Sequence, residues 1–128
     1  MLPGEDDLPR LRQLVDEFET KLAEKMTFWR GFFAECRSRG ERTVLWGSGS
    51  KAVAFLNDLG LSDEVGYVTD INPHRHGMFM PGTGHEIVPT EELKNYRPDV
   101  VVAMNPVYVD EIRGSLEQMG LSPRLLAV

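Results

Sequence analysis

Residues 44–52, Val-Leu-Trp-Gly-Ser-Gly-Ser-Lys-Ala, constrain the fold of this 128-residue chain more than any other stretch. The three apolar residues read as a buried strand. The six that follow fit G-x-G-x-x-G/A, the tight turn that leads from a strand into a helix in dinucleotide-binding units. Gly47 permits the sharp turn, Gly49 lets a ligand approach the backbone, and Ala52 is small enough for close packing of helix on strand. The first helical amides would then point at an anion. Asp70 follows Gly49 by about 20 residues, near the position where an acidic residue meets a ribose hydroxyl in such units. The same turn also closes strand–helix units that bind nothing, so it leaves function open by itself.

The rest of the chain supports an alternating architecture. Residues 8–39 form one long helical pattern, with Leu11, Leu14, Val15, Phe18, Leu22, Met26, Trp29, Phe33 and Cys36 recurring at steps of three and four. Asp6 or Asp7 is a candidate cap with Pro9 in the first turn, and Gly40 is a stop. At about 1.5 Å per residue this helix is about 48 Å long, more than a small sheet covers. Its second half, with Phe28, Trp29, Phe32 and Phe33, is expected on the sheet; its first half self-associates, rests on another domain or is a solvated amphipathic extension. Beyond it the pattern reads strand 43–46, helix 50–59 ended by Gly60, strand 65–69 and an irregular loop 70–85. A short strand 86–88 and a short helix 91–95 capped by Thr90 come next. Strand 100–104 is β-branched and buried on both faces, and helix 108–119, stopped by Gly120, leads to strand 125–128. Strands alternating with helices imply a parallel sheet with right-handed crossovers. The expected fold is α/β and Rossmann-like: about five mainly parallel strands in the order 3-2-1-4-5, preceded by a long N-terminal helix. Residues 1–40 are read as a long helix and linker, and 41–128 as the Rossmann-like domain.

Composition narrows the function. Hydrophobic residues make up 41% and charged residues 27%, as in a globular domain, and the net charge of −6 with no basic stripe argues against nucleic acid as a partner. No apolar run approaches the length of a membrane span, and the acidic start does not resemble a signal peptide. A single cysteine, Cys36, fits a cytoplasmic protein. His74, His76 and His85 lie close together in sequence but not at metal-ligand spacing, so no metal is expected. No nucleophile–base arrangement or carboxylate pair suggests a catalytic residue.

The residues that can hold a ligand fall into three groups. Gly47, Ser48, Gly49, Ser50, Lys51 and Asp70 form the first. Lys51 opposes the helix dipole in the first turn, a conflict that a bound phosphate resolves; otherwise it points into water. Ser48 and Ser50 offer hydroxyls to the same anion or cap the helix. The 70–85 loop, with Asn72, His74 and Thr83, follows the carboxyl end of a strand, where open α/β sheets bind ligands. Asn105 and Tyr108 leave the strand bordering the switch point and can hydrogen-bond a base or sugar, or simply cap and pack.

Trp46–Lys51, the run Asp-Ile-Asn-Pro-His at 70–74 with Gly77, Pro81-Gly82-Thr83, Pro98-Asp99 and Met104-Asn105-Pro106 together resemble the C-terminal domain of S-adenosylmethionine-dependent C-methyltransferases, which include enzymes of nucleotide-linked deoxysugars. The resemblance spans roughly residues 10–128. It implies a zinc-binding domain and a methyltransferase domain preceding this one in the family, with catalytic and S-adenosylmethionine-binding residues in the central domain and no cofactor in this one. It also implies that the linker in residues 1–40 leads to a catalytic domain, and that this domain helps to hold a nucleotide-sugar-type substrate and docks on the catalytic domain in cis or trans; a homodimer through the N-terminal helix is a further option, from the apolar stripe of that helix. Gly47-Ser48-Gly49-Ser50-Lys51-Ala52 departs from the family's frequent Gly-Ala-x-x-Lys-Gly but keeps its lysine, and Gly82-Thr83-Gly84-His85 departs from the sugar enzymes. A stand-alone NAD-like module and a structural interaction domain without ligand are the alternatives.

Overall fold

The computed structural model describes the backbone from Pro3 and side chains from Arg10 to Val128. Helix α1 spans Pro3–Ser38. It begins earlier than the capping pattern suggests, so Asp6, Asp7 and Pro9 lie inside the helix rather than at its start. Contacts divide the chain into two compact units, residues 1–32 and 33–128. Within the first unit Phe28, Trp29 and Phe32 make ring contacts along the helix, with centroids 5.2–6.1 Å apart.

The second unit is a five-stranded sheet ordered β3-β2-β1-β4-β5, every pair parallel. The strands are β1 (Thr43–Trp46), β2 (Tyr67–Thr69), β3 (Ile87–Val88), β4 (Val100–Ala103) and β5 (Arg124–Ala127). The helices are α2 (Ser50–Leu59), a short α3 (Leu93–Tyr96) and α4 (Val109–Gln118). Strands β1 and β4 are buried throughout, and they sit side by side at the centre with Val44 opposite Val101 and Leu45 opposite Val102. This is why they read as continuous apolar runs: helices cover both faces of a parallel sheet, and alternation has no solvent side to mark.

Each helix matches a stripe in its sequence. Ala52, Phe55, Leu56 and Leu59 are the buried residues of α2, spaced at i, i+3, i+4 and i+7. Gly60, at φ 64°, ends α2 in the left-handed conformation. On α4, Ile112 and Leu116 are buried and join Val44, Trp46, Leu93, Val101 and Ala103 in one apolar cluster. Phe33 and Cys36, from the last turns of α1, are buried as well, and Phe33 meets Phe55 edge-on with centroids 5.9 Å apart. Burying a side chain of this size is worth about 1.5–3 kcal/mol.

The departures from the expected elements are local: Thr90 lies in a 3-10 turn over Thr90–Glu92 rather than capping a helix, and α3 begins only at Leu93. Strand β2 starts at Tyr67 rather than at 65, although the Gly66 N–H still donates to the Thr43 carbonyl, 2.9 Å away. The 70–85 segment is folded rather than irregular. Asn72 accepts from the His74 N–H and caps a 3-10 turn over Pro73–Arg75, and Phe79 bridges Glu86 in antiparallel fashion. The Asn-Pro pair favours such a turn, because proline needs no amide partner and the asparagine side chain takes the place of a backbone acceptor.

Phe33→Ala should lower unfolding stability by about 3–5 kcal/mol, since the ring leaves a cavity against Phe55. Chemical denaturation of the variant checks this; an unchanged midpoint would show that the end of α1 does not belong to the core.

Candidate functional site

The strand order reverses between β1 and β4, since the chain runs outward from β1 to β2 and β3 and then returns to β4 on the other side of β1, and a crevice opens at the carboxyl ends of such strands. A cleft of about 500 Å³ lies there. One wall is the β1–α2 turn, residues 47–52; the other is the segment after β4 and one face of α4.

The turn is held from both ends of one residue. Ser48 is buried, and its N–H donates to Asp70 Oδ2 over 3.0 Å while its hydroxyl donates to the same oxygen. Asp70 Oδ1 accepts the Asn72 N–H at 2.9 Å. Arg75 Nη1 donates to the Ser48 carbonyl at 3.3 Å, and His76 Nε2 donates to the Asp70 carbonyl at 2.7 Å. Burial of Asp70 raises its pKa, but the hydrogen bonds from Ser48 and Asn72 and the positive Arg75 outweigh burial and hold the carboxyl below its ordinary value of 3.8.

With Ser48 tied down, α2 begins at Gly49 without a side-chain cap. Its first amides lack intrahelical acceptors by construction and carry the positive end of the dipole. Lys51 stands in this first turn, exposed and lining the cleft. The two glycines of the turn differ. Gly47 has φ 121°, and a Cβ there would stand 3.2 Å from Met104 Cβ, so the fold itself requires glycine. Gly49 has φ −76°, and nothing lies within 4 Å of a Cβ built on it, so the fold does not require glycine at this position.

The structure gathers Gly47, Ser48, Gly49, Ser50, Lys51, Asp70, Asn105 and Tyr108 around one cleft. Asn105 Oδ1 accepts the Val107 N–H at 3.0 Å and caps a 3-10 turn over Pro106–Tyr108. Asn72, His74 and Thr83 do not line the cleft. Asn72 is engaged in its own turn; the Thr83 hydroxyl donates to His85 Nδ1 at 2.7 Å, while His85 Nε2 donates to the Ser62 carbonyl at 2.8 Å. Asn57 Nδ2 also donates to the Pro81 carbonyl at 3.1 Å, so the Pro-Gly-Thr-Gly-His segment is clasped to the far end of α2. Among the described residues, no three metal-ligating side chains gather.

Sequence reasoning missed Trp46, Ile71, Met104, Glu111, Ile112 and Ser115 as cleft residues. A signal for the last three was present. Tyr108, Glu111, Ile112 and Ser115 share one face of the helix that follows β4, and the order 3-2-1-4-5 turns the start of that helix toward the crevice.

Gly47→Ala should destabilise the domain by about 1–3 kcal/mol through strain at positive φ and the approach to Met104, whereas Gly49→Ala, which meets no steric conflict and loses only the N-cap preference for glycine, should lower the melting temperature less. Asp70→Ala strands the buried Ser48 donors and should cost about 1–3 kcal/mol. Because folding depresses the Asp70 pKa, its contribution is present above the unfolded value and is lost as pH falls through the folded one. Thermal melts of wild type and Asp70→Asn should therefore converge as pH drops below about 4; a constant gap down to strongly acid pH would show that the clasp does not depend on the charge.

Residues 7–122 match the family described as the C-methyltransferase C-terminal domain. No curated protein matches the chain. Among solved structures, UDP-D-quinovosamine 4-dehydrogenase from Vibrio fischeri is similar with a TM-score of 0.53 and 19% identity, over 69% of this chain and 77% of that one. RSP, a Rex-family repressor, is 15% identical with a TM-score of 0.47, over 69% of this chain and 52% of that one. The dehydrogenase supports the Rossmann-like fold, and the family match covers nearly the whole sequence: the chain belongs to the C-methyltransferase C-terminal domain family.

Proposed function

We propose that this domain holds the diphosphate of a nucleotide-sugar-type substrate for a C-methyltransferase and presents it to a methyltransferase catalytic domain in cis or trans. The observation that carries the reading is the α2 N-terminus. It is uncapped, faces a cleft of about 500 Å³ and has Lys51 in its first turn. Two positive charges, the full charge of the ammonium and the partial charge of the helix pole, make this the natural place for an anion. Gly49 supports it, because the residue leaves open space on the cleft side where a diphosphate can approach the backbone. The cleft volume lies within the range of ordinary small-molecule sites. The dehydrogenase with the same fold is named for a UDP-sugar, although at 19% identity that likeness attests to fold rather than ligand.

On this reading S-adenosylmethionine and the catalytic residues belong to the catalytic domain, and the chain alone transfers no methyl group. Ile71 and Tyr108, both largely exposed, leave apolar surface at the cleft, and Val107 is exposed in the adjoining turn. These side chains suit a surface that the catalytic domain covers once the substrate is bound. A stand-alone NAD-like site is less well supported, because Asp70, which would receive the ribose hydroxyls, already accepts hydrogen bonds from Ser48 and Asn72.

The first half of α1 supplies a second surface, and the occupant we propose is a second copy of the chain. Leu11, Leu14, Val15, Phe18 and Leu22 are each about half exposed or more. The steps from 11 to 15 to 18 to 22 alternate four and three, as in a helix-pairing seam. Two antiparallel copies place Leu11 against Leu22 and Val15 against Phe18, and they set Arg12 opposite Glu19 twice, so the stripe is complementary to itself in both shape and charge. Leu14→Glu with Phe18→Glu should leave the domain folded and convert a dimer to a monomer in sedimentation equilibrium. A wild-type chain that is monomeric at high concentration would remove this part of the proposal.

Lys51→Ala tests the anion site. Loss of a charge-assisted contact of about 1.5–3 kcal/mol should weaken diphosphate binding roughly ten- to a hundredfold. Stability should hold or rise slightly, because the cation no longer opposes the dipole. Calorimetric titration with UDP measures this, and equal affinity in wild type and variant would mean that the turn is only structural.

A further inference from the structure

We propose that Glu111 is the hydroxyl-accepting residue of the cleft, holding the ribose hydroxyls of a nucleoside diphosphate whose phosphates lie at Lys51 and the start of α2. This inference rests on the anion reading of that turn and adds the orientation of the ligand.

In a unit of this architecture the acidic residue after β2 is the expected partner of the ribose. Here Asp70 is committed elsewhere. Its Oδ2 accepts both the N–H and the hydroxyl of Ser48, and its Oδ1 accepts the Asn72 N–H. A carboxylate offers about four acceptor sites and three are filled, so Asp70 can take one more hydroxyl at Oδ1 but not both hydroxyls of a ribose diol without displacing a donor.

The opposite wall carries a second carboxylate. Tyr108, Glu111, Ile112 and Ser115 line the cleft from one side of α4 and the turn before it. Glu111 is exposed and has no hydrogen bond or ion pair among the described residues. The neighbouring cation is engaged next door, since Arg113 Nη1 stands 3.7 Å from Asp110 Oδ1. An unpartnered carboxylate repels phosphate and accepts hydroxyls. The cleft therefore has two chemically distinct ends: amides and an ammonium at α2, and a carboxylate with the Ser115 hydroxyl at α4. Trp46, Met104 and Ile112 add apolar surface to the lining of the same cleft, suited to the face of a sugar ring. A nucleoside diphosphate has this same polarity, anionic at one end and hydroxylated beside it.

The test is isothermal titration of wild type, Glu111→Ala and Glu111→Gln with inorganic pyrophosphate, UDP and 2′,3′-dideoxyuridine diphosphate. Wild type should bind UDP more tightly than either hydroxyl-free probe. Glu111→Ala should weaken UDP about tenfold or more, bring it level with the dideoxy compound, and leave pyrophosphate equal or slightly tighter. Glu111→Gln, which retains one acceptor oxygen, should fall between, with thermal melts matching wild type. Equal losses for all three probes, or no change for UDP in Glu111→Ala, would overturn the assignment while leaving the anion site standing. Failure of wild type to bind pyrophosphate or either nucleotide would instead overturn the anion reading on which it rests.

Discussion

The hydrogen bonds between Ser48 and Asp70 join the ends of the two strands that matter most for this domain. Strand β1 delivers the glycine turn, and β2 ends one residue before Asp70. Because the strands are parallel and adjacent, with Trp46 opposite Thr69, their carboxyl ends lie side by side, and a two-acceptor side chain at the second can hold the backbone at the first. Arg75 then takes the carbonyl that the turn leaves over. The first turn of α2 is aimed by this clasp, and with it every amide that faces the cleft. Gly47 completes the constraint through its positive φ and its closeness to Met104, the residue after β4. Contacts from β1, β2 and β4 thus meet within a few residues.

The same geometry explains the distribution of charge. An acidic residue at the end of β2 would make the site unwelcoming to an anion if its carboxylate faced the cleft unpaired. Donors from Ser48, Asn72 and the cation of Arg75 surround it instead, which lowers its pKa and spreads its charge into the scaffold. The free positive charge in the first turn of α2 then faces a helix pole of the same sign. Such an arrangement is mildly destabilising in an empty protein and favourable only with an anion present. On the anion reading proposed above, a bound ligand offsets that cost.

Much of the fold was legible in the sequence, because it rests on local signals that agree. The run Val100-Val101-Val102 has no polar alternation, so it belongs to a strand buried on both faces. Gly60 and Gly120 stand where helices stop. The turn at 47–52 has small residues where strand, turn and helix each require them. With four connections between parallel strands, right-handed crossovers leave few strand orders, and 3-2-1-4-5 is among the simplest. The start of α1 was not legible, because the cap signal at Asp6 and Asp7 competes with Pro3, a residue type favoured at the first helical position. In the site, the residues on the β1–α2 turn were readable, while the roles of Asp70 and Thr83 were not. Both are polar residues in a loop, and nothing in their spacing says whether the partner is a ligand or the chain itself. Thr83 finds His85, and Asp70 finds Ser48. Glu111 was overlooked for the converse reason: an acidic residue in the first turn of a helix is ordinarily explained by the dipole, and only the sheet order shows that this turn borders the crevice.

The central claim is that the amides at the start of α2 receive an anion. Amide-resolved NMR during titration with inorganic pyrophosphate tests it most directly, because the account names the atoms involved. The largest shifts should fall on the N–H groups of Gly49, Ser50 and Lys51, with smaller ones at Asn105 and none at Thr83 or His85. Saturating pyrophosphate without movement of the 49–51 amides, or shifts centred on the 70–85 segment, would contradict it.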